Sequence, residues 1–232
     1  MLLIVPVGDE NPRKRLPVVN YLLLAANLII FFYFLLWRSA QYARVVQTFG
    51  LVPVEFQRNF LGALAGEGWK LITPLFLHGS IPHVLGNMLF LWIAGDNVED
   101  KLGHGLYLLF YLLSGVAANL GHIVMATGPS ADIPCIGASG AIAGVLGAYV
   151  VWFPRRRIRF WYFFFFVVGT FKLPSFYAIG LWFVQQLCLG KLQMMAQTTG
   201  VAYWAHIGGF IFGALVALAG KMARAKGRLS GY

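Results

Sequence analysis

Gly137-Ala138-Ser139-Gly140 heads an apolar segment that runs to Trp152 and is stopped by Pro154-Arg155-Arg156-Arg157. Its serine can be a helix cap, a packing contact or a nucleophile. The segment itself decides the fold, because it is one of several apolar runs bounded by short clusters of cations. The chain of 232 residues is 59% hydrophobic and only 11% charged, which excludes an ordinary soluble domain. Such a composition, with repeated apolar runs, indicates an all-α polytopic membrane protein. The net charge of +10 sits between apolar runs, where it acts as a topology signal, and no nucleic-acid partner is expected. Cys135 and Cys188 are isolated, without metal-ligand spacing.

Six spans are expected, in a membrane domain over 17–222. It lies between a short cytoplasmic tail (1–16) and a basic cytoplasmic tail (223–232). The first span, about Val18 to Trp37, follows Arg13, Lys14 and Arg15 and is too long for the apolar part of a signal peptide. Residues 38–79 read as a large outer loop lying partly in the interface, with short amphipathic helices. The second span starts at Ser80, an N-cap with Pro82 in the first turn, and ends near Gly95 before Asp96-Asn97-Val98-Glu99-Asp100-Lys101. The third covers about Gly105 to Ala126, the fourth about Ala138 to Phe153, the fifth about Ser175 to Leu189, and the sixth about Trp204 to Gly220. The aromatic run from Ile158 to Phe171 is too short for a separate span and reads as interfacial or as the entry to the fifth span.

Cations orient the bundle. With the N-terminus inside, inner segments hold Arg13, Lys14, Arg15, Lys101, the Arg155–Arg159 cluster, Lys172, Lys221, Arg224, Lys226 and Arg228. Outer segments hold only Arg38, Arg44, Arg58, Lys70 and Lys191. Both termini are therefore expected in the cytoplasm. With no transit peptide or large soluble extension visible, a bacterial inner membrane is the expected location.

Polar residues within spans each need an explanation, since an unpaired polar group in hydrocarbon costs on the order of 1–3 kcal/mol or more. Ser139 lies about 16 residues above Arg155, His206 about 15 above Lys221 and Asn87 about 14 above Lys101, so each sits roughly 21–24 Å up its helix. Three helices place polar groups at nearly one height, as a common site requires. His83 and Asn87, four residues apart, share a helix face. Gly137 and Gly140 beside Ser139, and Gly209 and Gly213 beyond His206, let two helices approach closely. A neutral imidazole at His206 is what a general base for Ser139 must be. All eight acids lie in loops, tails or at helix ends. A Ser–His dyad is thus the remaining nucleophilic arrangement. Asn87, with His83 and backbone N–H groups near Ser139, can donate to an oxyanion. Taken singly, Ser139 is a packing serine and His206 a satisfied buried histidine; their common depth argues for the set. Ser114, Asn119 and His122 on the third helix are expected to bind each other, backbone or water, and His78 and His104 to be interfacial.

His78-Gly79-Ser80-Ile81-Pro82-His83-Val84-Leu85-Gly86-Asn87, Gly137-Ala138-Ser139-Gly140 and Ala205-His206-Ile207-Gly208-Gly209 resemble the three signatures of rhomboid intramembrane serine proteases, in the family's order. The resemblance covers the chain from the first helix to the sixth. It implies a six-helix bundle that hydrolyses peptide bonds within the bilayer. Ser139 would be nucleophile, His206 base, and His83 and Asn87 oxyanion residues. It also implies a lateral gate on the fifth helix, here with Phe176, Trp182 and Phe183, and a cap loop near Met194 and Met195. Gly95, Glu99 and Gly103 resemble a G-x-x-x-E-x-x-x-G element. Where some members carry an aromatic packed against the base, four residues after the serine, Ala143 stands; something else must hold His206. Trp69-Lys70 stands where some members have Trp-Arg. Transmembrane protein substrates and membrane lipid are the expected partners. Serine hydrolysis needs no metal or cofactor, and the sequence leaves the oligomeric state open. The alternative is a non-catalytic relative that binds or escorts transmembrane segments.

Overall fold

A long helix begins wherever the sequence passes from a turn or capping residue into an apolar run. The computed structural model describes residues 2–229, which hold nine α-helices and one small sheet. The six long helical segments expected from the sequence are α1 (Val18–Trp37), α5 (Ile81–Leu102), α6 (His104–Met125), α7 (Ser139–Trp152), α8 (Ser175–Ala196) and α9 (Tyr203–Leu229). Three of them, α1, α6 and α9, are long and apolar enough to cross a membrane alone. A fourth candidate joins Phe60–Phe76 to Ile81–Leu102 across an 84° bend. The segment between α1 and α5 folds into short helices α2 (Ser39–Phe49), α3 (Pro53–Arg58) and α4 (Phe60–Glu67), with two 3-10 turns. Within it Lys70 is buried and paired with Glu55 at 3.1 Å and Glu67 at 2.6 Å.

Helix α7 is the centre of the bundle. It is apolar on every side, and Gly140 to Tyr149 are all buried, as a helix without a polar face must be. It packs most extensively on α9. Small residues make the close approach: a side chain at Gly209 would meet the Gly140 carbonyl, and one at Gly213 the Gly144 carbonyl. On its other side, a side chain at Gly140 would press on Ala118 and one at Gly144 on Ser114, both from α6. These contacts fix the height of α7 against α9, and so of Ser139 against His206.

The expected end of the second span near Gly95 is corrected: α5 continues to Leu102. Its charged last turns stay helical because the N-terminal segment pairs with them. Glu99, 1% exposed, accepts the N–H groups of Val19 at 2.9 Å and Asn20 at 2.7 Å, so it caps α1 from another helix. Arg13 pairs with Asp96 at 3.0 Å, and Asp100 accepts the Arg15 N–H. The Gly95, Glu99, Gly103 pattern is explained here. A side chain at Gly95 would meet the Tyr107 hydroxyl at 2.6 Å, and Gly103, at φ +82°, makes the reversal into α6.

No strand is expected in the tail 1–16 or in the aromatic run, yet both contribute to a sheet. Strands β1 (Leu2–Asp9), β2 (Arg157–Phe164) and β3 (Val167–Pro174) pair antiparallel in the order β1-β2-β3. Leu2 faces Phe164 and Asp9 faces Ile158. Phe165 and Phe166 turn β2 into β3, with Phe165 in the left-handed region at φ +51°. Helix α8 runs past Leu189 to Ala196, so Met194 and Met195 lie in its last turn and not in a loop. The sixth span likewise runs past Gly220: the backbone of α9 continues to Leu229, through most of the expected basic tail. Residues 230–232 and the side chains of Arg224, Lys226 and Arg228 lie outside the described residues.

Candidate active site

Two turns set the site. Ser80 caps α5 by accepting the His83 N–H at 3.3 Å, and this fixes the helix face that carries His83 and Asn87. Gly137, at φ +129°, makes the turn into α7, and its N–H donates to the Pro74 carbonyl at 2.9 Å. A side chain at Gly137 would lie 2.7 Å from His83 Nε2 and 3.6 Å from Asn87 Nδ2. Both nitrogens therefore face the backbone turn that delivers Ser139.

Ser139 is the first residue of α7 and is half-buried. Its Oγ lies 2.8 Å from His206 Nε2. The two residues come from α7 and α9, whose glycine contacts bring the backbones together. His206, 9% exposed, sits between two rings: Trp182 at 5.9 Å between centroids and Tyr203 at 6.4 Å edge-on. Asn87 is buried, and its Nδ2 has no hydrogen-bond partner among the described residues. That nitrogen borders a cavity, where an acceptor can reach it.

A cavity of about 510 Å³ joins these groups. It is lined by His83, Asn87 and Phe90 of α5, Ser139, Ile142 and Leu146 of α7, Trp182 of α8, and His206 of α9. Of the three aromatics expected at a gate, only Trp182 lines it. Phe183 stacks on Phe210 at 4.1 Å, and Phe176 is exposed in the first turn of α8.

The polar residues of α6 divide. Asn119 donates to the Leu71 carbonyl at 2.9 Å. Ser114 Oγ and His122 Nδ1, however, have no partner among the described residues, and His122 lines the cavity. His78 is fully buried; its backbone is clamped by the Tyr42 hydroxyl. Sequence reasoning missed Gln186 on α8, 5% exposed, whose Oε1 lies 2.7 Å from His206 Nδ1. A glutamine inside an apolar helix was the available signal. No group of three or more His, Cys, Asp or Glu side chains able to hold a metal occurs among the described residues.

Residues 65–222 match the family description "Rhomboid domain", and they include every one of these site residues. The chain belongs to the rhomboid family. Rhomboid protease GluP of Bacillus subtilis is 37% identical over 132 residues, 57% of this chain and 24% of GluP. RHOMBOID-like protein 4 of Arabidopsis thaliana is 33% identical over 150 residues, covering 65% of this chain and 33% of its own. The mitochondrial Rhomboid protein 1 of Saccharomyces cerevisiae is 27% identical over 204 residues, covering 84% and 51%. The chain thus spans from about a quarter to about half of the length of these curated relatives. Family membership and the apolar helices make it an integral membrane protein.

Proposed function

We propose that this rhomboid is a serine endopeptidase that cleaves transmembrane segments of single-pass membrane proteins through a Ser139–His206 dyad. The observation that carries the reading is the 2.8 Å contact between Ser139 Oγ and His206 Nε2 at the wall of the cavity. GluP, to which the chain is similar, is named a rhomboid protease. In the reaction Ser139 Oγ attacks the scissile carbonyl carbon while His206 Nε2 takes its proton. The tetrahedral oxyanion accepts hydrogen bonds from Asn87 Nδ2, from His83 in its Nε2–H tautomer, and from backbone N–H groups at the start of α7. Collapse breaks the C–N bond, with His206 returning the proton to the leaving amine. Water, deprotonated by the same imidazole, then hydrolyses the acyl-enzyme.

Six spans with both termini in the cytoplasm complete the proposal, in a bacterial inner membrane, with the site toward the outer face. Trp182 of α8 lines the cavity, and in the proposed reaction a transmembrane segment enters sideways past that helix. The substrate helix must unwind at the cut, because helical carbonyls are hydrogen-bonded and shielded. Small, helix-weak residues are therefore expected there. The test is cleavage of a model transmembrane substrate in liposomes by wild type, Ser139→Ala and His206→Ala. Only wild type should cut. Equal cleavage by all three overturns the proposal, and no cleavage by a folded wild type leaves a non-catalytic binder of transmembrane segments as the better reading.

A further inference from the structure

Ala143 brings no ring to pack against His206, so an aromatic partner for the imidazole must come from elsewhere. Three side chains flank the imidazole, and two come from α8. Trp182 lies alongside the ring, and Gln186, one helical turn further on, meets it edge-on. The buried positions of α8 are Ser175, Ile179, Gln186, Gly190 and Gln193, and most of the rest of its surface is exposed. Both glutamines of that inward stripe have assigned partners. Gln193 Nε2 donates to the Val201 carbonyl at 3.1 Å, and Gln186 Oε1 faces His206 Nδ1 at 2.7 Å.

We propose that Gln186 is the positioning residue for the general base, tying its tautomer and orientation to the place of α8. The inference rests on the Ser139–His206 reading and deepens it. An amide oxygen can only accept, so Nδ1 carries the imidazole proton. Nε2 is then left with its lone pair toward Ser139 Oγ, 2.8 Å away. The arrangement assigns Gln186 the orienting task that a carboxylate has in a three-membered site, without a charge to bury. Because Gln186 and Trp182 share α8, an outward tilt of that helix by about 1 Å stretches the 2.7 Å contact beyond hydrogen-bonding range. The base is then free to rotate away from Ser139. A displaced α8 and an armed base exclude one another.

The experiment compares the full chain in detergent as wild type, Gln186→Met and Gln186→Glu. Methionine keeps the length and removes the acceptor; glutamate keeps the acceptor. With a model transmembrane substrate, Gln186→Met should lower kcat by roughly 10–1000-fold with little change in KM, since an orienting partner acts on the base and not on binding. Gln186→Glu should recover most of the rate. In 15N spectra of labelled histidine, His206 should show protonated Nδ1 in wild type and Gln186→Glu, and mixed tautomers in Gln186→Met. Unchanged kcat in Gln186→Met, equal losses in both variants, or an unaltered His206 spectrum would overturn the proposal. A Ser139→Ala control separates the two readings. Cleavage by that control sinks the dyad, whereas the His206 spectrum judges Gln186 without any turnover.

Discussion

Beyond the proposed Ser139–His206 pair, Asn87 is the residue whose surroundings best suit an oxyanion donor. Its Nδ2 is buried, unpaired among the described residues and 3.6 Å from where a side chain at Gly137 would begin. An amide donor held in that state suits an oxyanion better than a resting-state partner. Asn87→Ala should lower kcat by roughly 10–1000-fold while the bundle stays folded, as loss of one oxyanion donor does elsewhere. Steady-state cleavage together with a thermal unfolding curve checks it, and an unaltered rate removes Asn87 from that role. Ser139, His206 and Asn87 are legible in the sequence because each is a polar residue in an apolar run at a similar distance from a cationic boundary. Gln186 is not legible in the same way. Its partner lies 20 residues away on the next helix, and only the rotation of α8 decides whether it faces His206 or lipid.

At the scale of elements, the long helices follow from apolar runs with turn residues between them. The sheet does not follow. Its hairpin turn, Phe165-Phe166, carries none of the Asn or Gly that usually supply a left-handed residue, and β1 meets β2 from the far end of the chain. The charged end of α5 hides for a related reason: its acids are satisfied by partners 79 to 85 residues earlier. The sheet is pinned to the bundle at Asp9, whose carboxylate accepts from the Tyr149 hydroxyl of α7 and from Asn97 Nδ2 of α5. Burial pushes the Asp9 pKa from 3.8 to about 6; the Tyr149 hydrogen bond pulls down against this, and nearby Asp96 adds to the rise. A folded-state value above the unfolded one means that the protonated form favours folding. That contribution is present below about pH 4 and is lost as the pH rises through about 6. Asp9→Asn should therefore flatten the pH dependence of thermal stability between about pH 4 and 7 and stabilise the chain relative to wild type above pH 6. Parallel wild-type and variant curves across that range would contradict the assignment.

For the whole molecule, one helix organises the rest. Buried on all sides, α7 takes its height from α9 through Gly140, Gly209, Gly144 and Gly213, and its first residue is Ser139. Helix α5 brings His83 and Asn87 to the turn before it, α9 brings His206, and α8 sets Trp182 and Gln186 beside that imidazole. The catalytic proposal thus rests on the packing of four helices and not on any local motif alone. The measurement that tests it most directly is covalent capture of the nucleophile. The protein is treated with a fluorophosphonate, which phosphonylates activated serines with loss of fluoride, and the adduct is mapped by mass spectrometry. A single adduct on Ser139, absent in Ser139→Ala and strongly reduced in His206→Ala, is the expected result; a chain that cleaves its substrate while Ser139 stays unmodified and another serine carries the adduct would contradict it.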